Sequence, residues 1–180
     1  MSSLQDFQDL YVKPKPGRTL IVGSKIYRDK EDRRKRYPDA VGVDMLPGDG
    51  VDIVCNLEDA QDVRDKIDNR VNKFDHIECM STLEHSRKPW LLAYNIELLM
   101  AKDATIFVSV PFCWRIHAYP DDYWRLTPHG VRSIFPNIEW QHLMLASDQL
   151  RADTHRIRST KLDDHPYMAR TETVGFGTRK

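Results

Sequence analysis

Phe74-Asp-His-Ile-Glu-Cys-Met-Ser-Thr-Leu-Glu-His-Ser-Arg-Lys-Pro-Trp-Leu-Leu-Ala-Tyr-Asn-Ile-Glu-Leu-Leu-Met-Ala-Lys-Asp-Ala-Thr-Ile-Phe-Val-Ser-Val110 holds an apolar run, a segment of helical period and a second apolar run. Phe74–Met80 and Ala104–Val110 have the length and composition of buried strands. Between them, Leu91, Tyr94 with Asn95, and Leu98 with Leu99 mark a helix from about Lys88 to Ala101. Strand, helix and strand in that order argue for an α/β domain with a largely parallel sheet.

Outward from this unit the same alternation continues. Thr19–Val22, Ala40–Val43 and Val51–Val54 are further strand candidates, ending in Gly23-Ser24, at Asp44 and near Asn56. Val63, Ile67 and Val71 recur at a four-residue spacing, as on one helix face. Downstream, Thr127-Pro-His-Gly130 predicts an N-cap with proline at the first helical position, opening a short helix from Pro128 to Phe135. Ile138–Leu145 and Thr171–Gly177 read as two final strands. The polar stretch between them, about 147–170, carries nearly balanced charge and suits a surface arm, a substrate flap or a contact in a homo-oligomer. Residues 1–17, with Pro14, Pro16 and Gly17, predict a short helical or loose arm, followed by one domain over 18–180.

The chain has 180 residues, 41% hydrophobic and 30% charged, which suits one soluble globular domain without disulfide or metal staples. Its formal net charge of zero removes any global electrostatic case for nucleic acid or membrane partners. Three cysteines without CxxC spacing predict a reducing cytoplasm. Met1-Ser-Ser-Leu-Gln-Asp-Phe7 has no basic head followed by an apolar core, so no secretory leader is expected.

The candidate site residues lie beyond the strand ends, where open α/β sheets bind ligands. Gly23-Ser24 lets backbone approach a ligand, and Asp44, twenty-one residues after Gly23, is placed to accept from ribose hydroxyls or to cap the turn Pro47-Gly-Asp-Gly50. Asn56 and Leu57 offer an amide and a backbone N–H to an adenine ring, though Asn56 or Asp59 can equally cap a helix. Thr82, Glu84 and His85 follow the fourth strand, and a Glu-His pair there most simply fixes a loop. From Pro111 to Thr127 the chain is crowded with Phe112, Trp114, Arg115, His117, Tyr119, Asp121, Asp122, Tyr123, Trp124 and Arg125. That is long for a plain connection. The aromatics suit a flat ligand and the ionisable groups a polar one, while any one aromatic can simply pin the loop.

Two segments, Phe74–His85 and Ser109–Gly130, are similar to the "FD…LEH" and "VP…H.YP.DYWR.TP.G" stretches of class I S-adenosylmethionine-dependent methyltransferases, in particular the bacterial and phage methyltransferase type 11 group. The resemblance spans about Arg18 to Phe135. It implies a Rossmann-like seven-stranded sheet, mostly parallel, in the order 3-2-1-4-5-7-6 with the last strand antiparallel and helices on both faces. It also implies S-adenosyl-L-methionine as cofactor, held by Gly23, Ser24, Asp44, Asn56, Leu57, Met80, Ser81 and Thr82. The glycine-rich loop departs from the family's pattern, since Lys25 and Tyr27 stand where second and third glycines are usual. Lys25 is matched by charge to the cofactor's carboxylate.

Methyl transfer asks the protein to position an acceptor and take its proton. His117 is the expected base, since histidine is the side chain suited to proton transfer at neutral pH, and Asp122 its orienting partner. His85, Trp114, Arg115, Tyr123, Trp124 and Arg125 are the expected acceptor-binding residues, for a small-molecule or sugar-like hydroxyl. A methyltransferase-fold protein that binds a nucleotide-like ligand or a partner without catalysis is the alternative, favoured by the altered loop. A nicotinamide oxidoreductase is disfavoured by the missing G-x-G-x-x-G. The basic run Lys25, Arg28, Lys30, Arg33–Arg36 is interrupted by Asp29, Glu31 and Asp32 and reads as a solvated helix face rather than a nucleic-acid site. No metal site is expected, because His117 with Asp121 and Asp122 lacks a third ligand at a recognisable spacing.

Overall fold

The computed structural model describes residues 4–28, 30–68, 73–117, 121–147 and 171–180. Asp29, Val71, Tyr119 and nearly all of the 147–170 stretch, each singled out above, lie outside the described residues. In chain order the elements are α1 (Leu4–Tyr11), β1 (Thr19–Val22), β2 (Ala40–Asp44), β3 (Ile53–Val54), α2 (Ala60–Val63), β4 (Phe74–Met80), α3 (Pro89–Leu99), β5 (Met100–Cys113), α4 (Pro128–Ile134), β6 (Ile138–Ser147) and β7 (Thr171–Arg179). One seven-stranded sheet runs β3-β2-β1-β4-β5-β7-β6. Strands β1 to β5 pair in parallel, and β7 enters antiparallel to both β5 and β6.

The central strands are apolar on both faces because both are covered. All four residues of β1 are buried, as are Phe74, Ile77 and Cys79 of β4 and Ile106, Val108 and Val110 of β5. Leu92, Ala93, Ile96 and Leu99 of α3 close the larger core on one side. On the other, Phe7 of α1 is wholly buried and stacks on Phe107 at 6.0 Å between ring centroids. Burying such a ring is worth about 1.5–3 kcal/mol, and Leu4 and Tyr11 of the same helix pack beside it.

Strand β3 is only the second half of the expected Val51–Val54, and three other stretches differ more from their sequence expectation. Strand β5 starts four residues earlier than Ala104 and runs through Pro111 to Cys113. Its parallel pairing with β4 ends at Met80 opposite Ser109, and its register with β7 shifts just after Pro111. The missing N–H of proline is tolerated at such a place. The repeat of Val63 and Ile67 gives a short α2 that continues as one π-helical turn, Arg64–Asp68, with both side chains buried. The basic run after β1 is no helix face. It forms a single 3-10 turn, Arg33–Arg36, capped by Asp32.

Arg33 turns inward from that turn. Its Nη2 donates to the carbonyls of Gly23 (2.6 Å) and Val22 (3.1 Å), and its Nη1 to Glu78 Oε1 (3.3 Å). Tyr37 Oη donates to the other Glu78 oxygen at 2.7 Å. Glu78, fully buried in the middle of β4, is thereby partnered at both oxygens. Arg34 is likewise paired, with Asp32 and Asp52. Among the described residues no helix is long and apolar enough to cross a membrane.

Candidate functional site

The carboxyl ends of β1 to β4 bring most of the expected cofactor residues to one edge. Gly23 leaves β1 with φ at 64°, a left-handed conformation that costs glycine nothing. A Cβ there would stand 2.4 Å from Thr82 Oγ1, so glycine lets the turns after β1 and β4 touch. Beyond it, Ser24 N donates to Val43 O (3.1 Å) and Ile26 N to Asp49 O (2.8 Å), drawing the chain sideways over β2. Lys25 N donates to Asp44 Oδ2 (3.2 Å), and Leu46 N to Asp44 Oδ1 (3.0 Å). Asp44 thus takes the turn-holding role. A carboxylate accepts at about four positions, which leaves two for a ligand.

Lys25 packs its stem on Gly48, and its Nζ lies 5.4 Å from the Tyr27 ring centroid. Cys55 N donates to Asp44 O (2.9 Å), which carries Asn56 and Leu57 just past β3. Asn56 Oδ1 accepts from Glu58 N in a local turn, while capping of α2 falls to Asp59. Leu57 is buried, and its carbonyl accepts from Asn95 Nδ2 (2.8 Å). Ser81 has φ at 47° and donates its N–H to Ser109 O. Met80 is half-buried, with Gln8 Nε2 at 3.5 Å from its sulfur. A cleft of about 440 Å³ opens between the start of α2 and α3, lined by Asn56, Glu58, Asp59, Lys88, Leu91 and Tyr94 among others. It takes in Asn56 but not Gly23, Lys25, Asp44 or Thr82.

The loop after β5 folds back onto the 3-10 turn Leu83–His85 that follows β4. Tyr123 N donates to Glu84 O (2.7 Å), His85 Nδ1 lies 2.6 Å from Asp121 O, and Trp124 Nε1 donates to Ser86 O (2.8 Å). Arg87 Nε donates to Tyr123 Oη, which donates in turn to Asp121 Oδ2. Trp124 also meets Trp90 edge-on at 5.9 Å. Tyr123 and Trp124 are therefore loop fasteners in this arrangement. Arg125 grips Asp122 through both carboxylate oxygens, at 2.5 and 2.7 Å, and spends its other donors on the carbonyls of Trp114, Arg115 and Trp124. Arg115 is exposed, its guanidinium 5.8 Å from the Trp114 ring centroid.

His117 sits at the inner end of this loop. Its backbone N–H and its Nδ1 both face Asp122 Oδ2, at 2.9 and 3.0 Å. A proton on Nδ1 is donated to Arg115 O (3.4 Å), with the Asp122 carboxylate alongside, leaving the Nε2 lone pair open. Nε2 points to Glu84, 3.9 Å from Oε1, and His85 Nε2 lies 3.7 Å from the same oxygen. The two rings stand nearly perpendicular, with centroids 4.9 Å apart. The bidentate Arg125 guanidinium pulls Asp122 down to about 2. Burial pushes Glu84 up to about 8 and holds His85 below the ordinary histidine value. A neutral imidazole beside an ionised carboxylate can take a proton and stabilise the resulting charge.

Sequence reasoning set Glu84 apart only as a loop-fixing partner of His85 and sought His117's neighbours in Asp121 and Asp122. The structure keeps Asp122 beside His117 but takes Asp121 to His85. Asp121 gives His85 its carbonyl, Asp122 faces Nδ1 of His117, and the carboxylate opposite both Nε2 atoms is Glu84. The Arg33–Glu78–Tyr37 group was missed as well, although a glutamate inside an apolar strand was its signal.

No protein-family model matches the chain, and no curated protein matches it in sequence. Solved structures do. A methyltransferase of Anabaena variabilis, described as dependent on S-adenosylmethionine, superposes with a TM-score of 0.65 at 12% identity, over 98% of this chain and 83% of its own. The 1,6-didemethyltoxoflavin-N1-methyltransferase of Burkholderia thailandensis, solved with 1,6-didemethyltoxoflavin and S-adenosylhomocysteine, gives 0.61 at 11%, over 92% and 72%. The N-methyltransferase NodS of Bradyrhizobium japonicum, with S-adenosylhomocysteine, gives 0.54 at 9%, over 90% and 77%. The fold is that of the S-adenosylmethionine-dependent methyltransferases. Within that fold the expected order of the sheet, with its last strand antiparallel, is present in full. The strand order puts β1, β2 and β4, with Gly23, Asp44 and Thr82 at or just past their carboxyl ends, side by side in the sheet.

Proposed function

We propose that the chain transfers a methyl group from S-adenosyl-L-methionine to a small-molecule or sugar-like acceptor, at oxygen, in the cytoplasm. The observation that carries this reading is His117. Its Nδ1 is held at Arg115 O beside the Asp122 carboxylate, which Arg125 grips, and its Nε2 is left open, beyond the same sheet edge that presents Asp44 and Thr82.

The residues fit the cofactor's adenosine end best. Asp44 has acceptor positions to spare for ribose hydroxyls, and Asn56 with Leu57 follows β3 where an adenine is read. Ser24, Met80, Ser81 and Thr82 border the middle of the site, and Lys25 pairs with a carboxylate. When bound, the cofactor supplies a methyl group on a positively charged sulfur. His117 Nε2 then accepts the acceptor's proton, Asp122 stabilises the charged ring, and Arg125 keeps Asp122 ionised. General-base help of this kind is worth ~10²–10⁴-fold in rate. The exposed Arg115 over Trp114 suits an acceptor that is flat or anionic.

Calorimetric titration with S-adenosylmethionine and S-adenosylhomocysteine, with NAD as control, tests the first half, and a screen of hydroxylated metabolites the second. A folded His117→Ala protein should lose at least ~100-fold in turnover with nearly unchanged cofactor affinity. Near-normal turnover at neutral pH removes the base. A second reading, binding without catalysis, is favoured by Lys25 N, which is already held by Asp44. Micromolar cofactor binding with no acceptor methylated would establish it.

A further inference from the structure

The structure assigns a divalent transition-metal site to Glu84, His85 and His117. Glu84 Oε1, His85 Nε2 and His117 Nε2 lie within 4.8 Å of one another, although they come from two loops that follow different strands. Small shifts of the three atoms bring them to the ~2.0–2.2 Å at which zinc takes histidine and carboxylate ligands.

Two observations point to an ion rather than to a chance cluster. The first is Glu84 itself. Its side chain is wholly buried, and neither carboxylate oxygen has a hydrogen-bond partner among the described residues. A buried carboxylate without a partner is expensive, and both rings that face it stand beyond hydrogen-bond distance. A cation between the three atoms removes that cost.

The second is the arrangement behind the rings. Metal-bound histidines characteristically donate their other ring N–H to a backbone carbonyl or a carboxylate, which fixes the tautomer and aims the lone pair. Both histidines do so here. His85 Nδ1 meets Asp121 O at 2.6 Å, and His117 Nδ1 meets Arg115 O at 3.4 Å with Asp122 Oδ2 3.0 Å away beside it. Asp122 is itself held by Arg125. Each ring therefore presents Nε2, and both Nε2 atoms face the same oxygen of Glu84.

Two imidazoles and one carboxylate suit a first-row ion such as Zn²⁺ or Fe²⁺ rather than Mg²⁺ or Ca²⁺, which prefer oxygen ligands. Three protein ligands leave at least one position open, as catalytic sites do. Ion binding does not depend on the proposed methyl transfer, but it changes the part His117 plays there. With an ion in place, Nε2 would hold it instead of taking a proton, and an acceptor oxygen in the open position would lose its proton to solvent more easily for being bound to a cation.

The test uses the full chain, stripped with chelator and dialysed against ZnCl₂. Elemental analysis should find one zinc per chain, and titration calorimetry should give a matching stoichiometry that millimolar Mg²⁺ does not displace. Glu84→Gln, His85→Asn and His117→Gln should each weaken zinc binding by about tenfold or more, while His129→Asn, on the exposed face of α4, should leave it unchanged. Co²⁺ bound to the unaltered protein should show visible bands without thiolate charge transfer, which keeps the test intact if a variant fails to fold. Absence of stoichiometric zinc, undiminished binding in all three variants, or a thiolate band implicating Cys113 overturns the site. Zinc binding without cofactor binding leaves this site standing and ends the methyl-transfer reading, and the converse result does the opposite.

Discussion

Gly23→Ala should destabilise the protein mainly through one neighbour, and a double-mutant cycle with Thr82 measures it. Two costs add. At φ of 64° an alanine pays about 1–2 kcal/mol for the left-handed backbone. Its Cβ would also stand 2.4 Å from Thr82 Oγ1, 3.1 Å from Cγ2 and 3.3 Å from Cβ, an overlap of the kind that costs about 1–3 kcal/mol. The single variant should therefore lose about 2–5 kcal/mol. Thr82→Ala removes Oγ1 and Cγ2 and forfeits the hydroxyl's hydrogen bond to Met80 O or Val22 O, worth about 1 kcal/mol. In that background Gly23→Ala should cost only its backbone share. Urea unfolding of the four proteins yields the coupling, expected at about 1–3 kcal/mol. Equal costs of Gly23→Ala in both backgrounds, within about 0.5 kcal/mol, would refute the contact and return Gly23 to a purely ligand-facing role.

Asp44→Asn keeps one turn-holding oxygen and should weaken binding of S-adenosylhomocysteine by about 1.5–3 kcal/mol; calorimetry that shows unchanged affinity in a folded variant removes Asp44 from the site. Phe7→Ala should cost about 3–5 kcal/mol in chemical denaturation, since the ring is wholly buried against Phe107, and a loss under 1 kcal/mol would mean that α1 is held elsewhere. His76 is buried, and desolvation lowers it to about 4. Above pH ~6.5 it is neutral in both folded and unfolded chains and adds nothing. As pH falls from ~6.5 to about 4 the unfolded chain binds the proton first, so stability drops, by about 3 kcal/mol in all. Unfolding curves of the protein and of His76→Gln between pH 8 and pH 4 should converge in that window; parallel curves count against it.

The order of the sheet was legible because the strands β1, β2 and β4 are short apolar runs ending in glycine, aspartate or serine, and because two longer segments resemble a known family. The length of β5 was not, since proline reads as a strand end unless the neighbouring strand is known to stop first. The basic run at Arg33–Arg36 misled for a related reason. Charge alternation looks the same on a solvated helix and on a turn whose arginine reaches Glu78 across the sheet, and only tertiary position separates them. In the site, His117 and Asp122 are five residues apart and could be paired by eye. Glu84 lies thirty-three residues earlier than His117, and nothing local joins them. What joins them is the loop's return over the turn after β4, fastened by backbone groups that sequence does not display.

That fastening makes ring chemistry and loop position a single equilibrium. The carbonyl of Asp121 selects the tautomer of His85, and the carbonyl of Glu84 holds Tyr123. Lifting the loop takes Asp121 away, and His85 is then free to carry its proton on either nitrogen. The His85 ring signals would thus report whether the Asp121 contact is made, with the imidazole serving as a built-in gauge of the loop's position.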